Sequence, residues 1–179
     1  IPAEGGFALL GAPGEQLWRW KLKDAQPVKI EGASVPPIDY GARLTITSFT
    51  SFEAVGTSYI QRAAQKAEVT PAIQALADQL TASLAATDKR AQAETLYHWV
   101  AANIRYVAIF LAQGGVVPHN AQEVLDNRYG DCKDHVVVLE ALLAAKSIRS
   151  QAVLVDAGRS YLLPKVPMSP GLFNYAIGY

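Results

Sequence analysis

The residues best suited to chemistry fall in one heptapeptide, Tyr129-Gly130-Asp131-Cys132-Lys133-Asp134-His135, which holds the single Cys of the chain. A thiol acts as a nucleophile in its thiolate form. The unpaired N–H groups and positive dipole end of a helix N-terminus favour that form. Asp131 is a capping residue type, and apolar Val136, Val137, Leu139, Leu142 and Leu143 follow it at helical spacing. The pattern therefore predicts Cys132 in the first turn of a helix. Gly130 lets the chain turn sharply and leaves the thiol accessible. Lys133 adds a positive charge nearby, and Asp131 and Asp134 oppose it. Local physics leaves two readings open: a reactive thiol, or a buried structural Cys, which is the commoner fate of a lone one.

A thiol that attacks an amide needs a proton acceptor, and the chain has three His. His135 is three residues beyond Cys132, and residues three apart on a helix are neighbours. A base on the same helix nevertheless projects along it rather than across a cleft. His98, beside Trp99, reads as a partly exposed helical residue, and His119, after Pro118, as a loop-structuring one. No two His stand at paired ligand spacing, so neither a metal site nor a cofactor is expected. Trp18, Trp20, Trp99 and Tyr106 read as core aromatics, some of which can line a cleft.

The elements that must position these groups change character near residue 70. Before it the chain is β-leaning. Leu17 to Leu22 alternates around Trp18-Arg19-Trp20, and Arg43 to Phe49 alternates again, with Pro27, Gly32, Pro36 and Pro37 between them. Phe52 to about Ala64 reads as a short helix, with Glu53 in its first turn and Gly56 weakening it. From Thr70 the period is helical. Thr70 caps, Pro71 takes the first helical position, and Ile73, Leu76, Leu80 and Leu84 make the stripe. Thr87-Asp88 breaks that helix, and Leu96, Trp99, Val100 and Ile104 mark the next. Arg105 to Phe110 is extended, and Gly114-Gly115 and Pro118 make a loop. Asn120 with Glu123 forms a capping-box-like pair for a short helix ending near Gly130. After the Cys132 helix, Gln151–Val155 and Phe173–Tyr179 read as strands, joined by a loop that holds Pro164, Pro167 and Pro170.

Composition bounds the function. The 16 Lys+Arg balance 16 Asp+Glu, so a general nucleic-acid surface, which needs a basic excess, is not expected. One Cys excludes an internal disulfide and any multi-Cys metal cluster. No apolar run reaches the roughly 18–20 residues of a membrane span. The first residue is Ile, no signal-like segment follows, and the final residues read as a strand cut mid-domain. The chain is thus expected to be a processed or excised piece.

The motifs resemble a known family. Asn103 to Ile109, Gly114-Gly115, Pro118-His119, Val124-Leu125 and Arg128-Tyr129-Gly130-Asp131-Cys132-Lys133-Asp134 look like the bacterial transglutaminase-like superfamily. Ala141-Leu142-Leu143, Ile148, Leu163-Pro164, Pro167 and Phe173-Asn174 extend the match, which covers about Thr70 to the end. Residues 1–69 resemble the tail of a β-rich domain of unknown function that precedes this core in bacterial envelope proteins. Trp18-Arg19-Trp20 and Thr47 to Glu53 carry that likeness.

The resemblance implies an α+β, papain-like fold, in which a helix opening with the nucleophilic Cys packs on an antiparallel sheet. It implies two domains, 1–69 and 70–179. The chemistry it implies is acyl transfer on amide or peptide substrates: Cys attacks, His moves the proton, and an Asp or Asn orients the His. Cys132 takes the nucleophile position. The family's His follows the Phe-Asn pair, where this chain has Tyr175. The acidic partner belongs to a later strand, beyond Tyr179. The expected reading is a transglutaminase-like domain that is incomplete or inactive here. The alternatives are a non-catalytic peptide- or protein-binding module of the cell envelope, and a rigid structural piece. Either partner would be a peptide or protein, and the family points to a periplasmic or envelope location.

Overall fold

The structure is a computed structural model, and it describes residues 8–10, 17–19, 47–108, 115–157, 167 and 173–179. The chain divides into two compact units, Ile1–Ile46 with Gly158–Leu163, and Thr47–Ala157 with Pro164–Tyr179. In the first, β1 (Ala8–Leu10) pairs antiparallel with β2 (Leu17–Arg19), setting Leu9 opposite Trp18. Trp20 to Leu22, most of the expected strand from Arg43, Gly114, and the loop prolines 164 and 170 lie outside the described residues.

The second unit is built around one buried helix. Its elements run α1 (Phe52–Ala63) with a 3-10 turn (Ala64–Ala67), α2 (Pro71–Leu80), α3 (Lys89–Asn103), β3 (Arg105–Tyr106), α4 (Ala121–Asn127), β4 (Tyr129–Gly130), α5 (Cys132–Ala145), β5 (Ala152–Val155) and β6 (Tyr175–Gly178). Most helix starts follow from capping chemistry. Ser51 accepts from Ala54 N, Thr70 from Ile73 N ahead of Pro71, and Asp88 from Ala91 N. Asn120 departs from this. It stands at the cap position of α4 but its side chain makes no capping bond. Leu84 also falls outside its expected helix, because Thr81 ends α2 and returns its hydroxyl to Ala77 O.

Nearly every position of α5 from Val136 to Leu143 faces other protein, which is why its apolar residues run almost continuously instead of forming a stripe. One side of it, Val137, Val138, Ala141 and Leu142, joins Ile73, Leu96, Val100, Ile104 and Val124 in the main core. The other side carries Cys132 and Val136, one turn apart, against Ala176 of β6. β5 and β6 pair antiparallel, Ala152 opposite Gly178 and Val155 opposite Tyr175. The expected frame, a Cys-initiated helix packed on a strand pair in a mixed α+β fold, is what the structure has. Among the described residues no helix is long and apolar enough to cross a membrane.

The segment before Cys132 differs from expectation. α4 stops at Asn127 instead of running to Gly130, and Arg128 turns left-handed with φ 59°. Tyr129 and Gly130 then pair in parallel with Arg105 and Tyr106. A non-Gly residue in that region costs roughly 1–2 kcal/mol. The Arg128 guanidinium lies 5.0 Å from the Trp99 ring centre and supplies an offsetting cation–π contact.

Candidate functional site around Cys132

Gly130 opens the site by close approach. A Cβ there would lie 2.4 Å from the Asp134 Cβ, so only glycine lets β4 pass over the helix start. Asp131 is the N-cap of α5. Its Oδ1 accepts from Lys133 N at 3.1 Å and Asp134 N at 3.4 Å, while Asp134 Oδ2 accepts from Asp131 N at 3.1 Å. This reciprocal capping box satisfies donors that a buried helix end would otherwise leave unpaired. Asp134 also accepts from His119 N at 2.9 Å, with the His119 ring Nδ1 3.2 Å from both carboxylate oxygens. His119 therefore ties its loop to the helix start, in keeping with its reading as a loop-structuring residue. Lys133 is buried and forms an ion pair with Asp131. Sequence reasoning placed its charge beside the thiol. The structure turns it onto the N-cap instead.

Cys132 is buried, with 8% of its surface exposed. It also lines a cavity of about 370 Å³, together with Tyr106, His135 and Tyr175. The other walls come from α3, α5 and β6. His135 reaches this cavity, but its nitrogens are committed elsewhere. Nδ1 lies 2.8 Å from Asp131 O and Nε2 2.9 Å from Ile104 O. A neutral imidazole has one N–H and donates to one of these carbonyls, and neither nitrogen is turned to the thiol. His98 is exposed on α3, edge-on to Tyr97, and does not line the cavity.

Tyr175 is half exposed and borders the cavity from β6. Strand alternation puts it on the opposite face from Ala176, and the inward residue is Ala176, packed on Cys132 and Val136, not the Tyr175 that takes the family's His position. A methyl group lets the strand approach the helix start closely, where a phenol would not fit. Tyr106 completes the site, and of the aromatics read as core or cleft lining it is the one that lines this cavity among the described residues. It is half exposed, its ring centre is 5.8 Å from that of His135, and it lines the same cavity as Cys132. Its phenol is held above the ordinary tyrosine range, first by burial, then by the charges that Cys132, Tyr175 and Asp131 carry when ionised. The signal for Tyr106 is its pairing with Gly130, two residues before Cys132, which becomes visible only when β3 and β4 are seen together.

A second, open cavity of about 790 Å³ lies elsewhere on this unit, lined by Glu140, Arg149, Ser150 and Tyr179 among others. Burial holds the Glu140 carboxyl above the ordinary glutamate range, and a hydrogen bond from Ala152 N–H only partly offsets it. Tyr59 is buried, and its phenol is pushed up to about 12 by burial and then by Glu140. The raised Glu140 value favours folding fully below the ordinary glutamate range. That contribution is lost as pH rises through the folded value, after which the buried charge is a cost. Glu140→Gln keeps an acceptor for Ala152 without the charge. It should raise the melting temperature at pH 8, with the gain shrinking towards pH 4, and an equal gain at both pH values would count against the burial account. Among the described residues no group of three or more His, Cys, Asp or Glu is arranged to hold a metal ion.

Residues 74–158 match the model of the transglutaminase-like superfamily. No curated protein matches the chain. A crystal structure of a candidate protease from Parabacteroides distasonis ATCC 8503 superposes with a TM-score of 0.71 at 16% identity, over 99% of this chain and 34% of that one. The chain thus spans about a third of that protein's length, and at this identity the likeness is one of fold. The matched segment contains the glycine approach, the capped Cys132 helix and β5. Over residues 74–158, just under half of its length, the chain is similar to the transglutaminase-like superfamily.

Proposed function

We propose that this domain is of the cysteine acyl-transfer or peptidase type, with Cys132 in the nucleophile position, and that the chain turns over no amide because Tyr175 stands where the imidazole is required. In an active site of this type the thiolate attacks an amide carbonyl and forms a C–S bond. The oxyanion is held by backbone N–H groups at the helix start, and an imidazole passes the thiol proton to the departing amine. Water or an amine then takes the acyl group. The single observation that carries the reading is that Cys132 opens to a cavity in which no imidazole nitrogen is directed at it. Phenols stand there instead. A phenol, with an ordinary pKa near 10, cannot alternate as base and acid near neutrality.

The alternative is a non-catalytic peptide- or protein-binding module of the envelope. It is favoured by the half-exposed Tyr97, Tyr106 and Tyr175 rings at the same cavity.

The test compares the parent with Tyr175→His, following the rate of Cys132 alkylation by iodoacetamide against pH. An imidazole at this position should pair with the thiolate and move the onset of reactivity down by about one pH unit or more. Superimposable profiles would show that residue 175 is not at the proton-acceptor position. Release of product from an amide substrate by the unmodified chain would sink the inactive reading.

A further inference from the structure

We infer that the cavity beside Cys132 is a receptor for one neutral apolar side chain of a bound peptide, aromatic by preference, and that it selects against charged side chains. This rests on the reading of the Cys132 site as one that takes peptides, and it names the kind of peptide.

Three observations converge. The first is lining chemistry. Among the described residues that line the cavity there is no Asp, Glu, Lys or Arg. Val100, Ala101, Val136, Leu139, Ala176 and Ile177 make half of its lining among the described residues. A charged side chain entering it would lose hydration and find no counter-charge among the described residues. The second is exposure. Tyr97, Tyr106, Tyr175 and Ile177 are 55%, 50%, 42% and 45% exposed, although each is large and in contact with the cavity. Large apolar groups gathered half-bare around one concavity mark a binding surface, whereas isolated ones do not. Tyrosine adds a rigid face at little entropy cost. The third is size. About 370 Å³ suits a single large side chain with part of its backbone, at the lower end of ligand-pocket volumes.

Charge complementarity also decides between two aromatic-lined alternatives. A cage for a quaternary ammonium likewise uses tyrosine faces, but here the remaining wall is aliphatic and no carboxylate faces the cavity among the described residues. Neutral apolar contact is the better match.

Cys132 supplies the reporter. Four methanethiosulfonates would be compared: methyl, benzyl, sulfonatoethyl and trimethylammonioethyl. Each gives its sulfenyl sulfur to the thiolate, forming a disulfide and releasing methanesulfinate. Rates are divided by those of the same reagents with reduced glutathione, which removes intrinsic reactivity. The benzyl reagent should then exceed both charged reagents by about tenfold or more, as expected when apolar area is buried and charge excluded. Its rate should saturate with concentration.

Ala101→Glu places a carboxylate at an exposed helical position on the rim, where folding is not at stake. It should erase the benzyl preference and raise the trimethylammonioethyl rate. Equal normalised rates for all four reagents would overturn the pocket while leaving the thiol reading intact. A preference for the trimethylammonioethyl reagent in the parent would replace the pocket with a cation cage. Inertness of Cys132 to every reagent, with iodoacetamide inert as well, would show the cavity closed and remove both readings.

Discussion

Asp131→Ala should lower the stability of the second unit by roughly 3–5 kcal/mol, because it removes one partner of a buried ion pair. Asp131 and Lys133 are 2% and 5% exposed, so water does little to replace the missing carboxylate. The same substitution removes the N-cap of α5, an effect of about 1 kcal/mol. Urea unfolding of three proteins separates the terms. Asp131→Ala carries the whole loss. Asp131→Ala with Lys133→Met also removes the buried ammonium, and should recover most of the charge part while the cap part stays lost. If single and double variants unfold at the same urea concentration, the pair is not coupled and burial of Lys133 must rest on other contacts. The exposed Arg90–Glu94 pair on α3 is the contrasting case. Its removal should leave the urea midpoint unmoved, since water screens it and replaces its bonds.

Gly130→Ala should be nearly as damaging, at about 2–3 kcal/mol, near the upper end for an overpacked site. The added methyl meets the Asp134 side chain at 2.4 Å, and that side chain is pinned by Asp131 N and His119 N. Relief requires Asp134 to move, which frees both donors, or β4 to lift from α5. The cost should therefore depend on Asp134. In an Asp134→Gly background, where the bonds are already lost and the Cβ that the methyl meets is gone, Gly130→Ala should cost under about 1 kcal/mol. Such non-additivity is the mark of residues in direct contact. Equal costs in both backgrounds would place the demand for glycine in backbone geometry instead of close approach.

These two predictions also show why the Gly-Asp-Cys-Lys-Asp run reads so clearly in the sequence. Gly130, Asp131, Lys133 and Asp134 each do structural work on the helix start, and together they set Cys132 at the first helical position. The motif that pointed to chemistry is thus largely a device for building a buried helix terminus.

What the sequence by itself determined was local. Thr70-Pro71, Asp88 and Asp131 announce helix starts because a cap is a contact between residues two or three apart. The apolar run from Val136 marks the central helix, since its burial is written in its own composition. Cys132 at the helix start and the strand pair that follows were legible for the same reason. Asn120 shows the limit, for a capping residue type does not guarantee a capping bond. What only the tertiary structure decided depends on contacts between distant segments. The pairing of Arg105 with Tyr129 ends α4 early and carries Tyr106 beside Cys132. Ile104 O, 31 residues from His135, helps take the imidazole out of reach of the thiol. Ala176, not Tyr175, meets the helix, because close packing admits a methyl group there and leaves the phenol at the cavity. Hydrogen-bond direction and packing clearance are properties of assembled neighbours, and a linear pattern of residue types does not encode them.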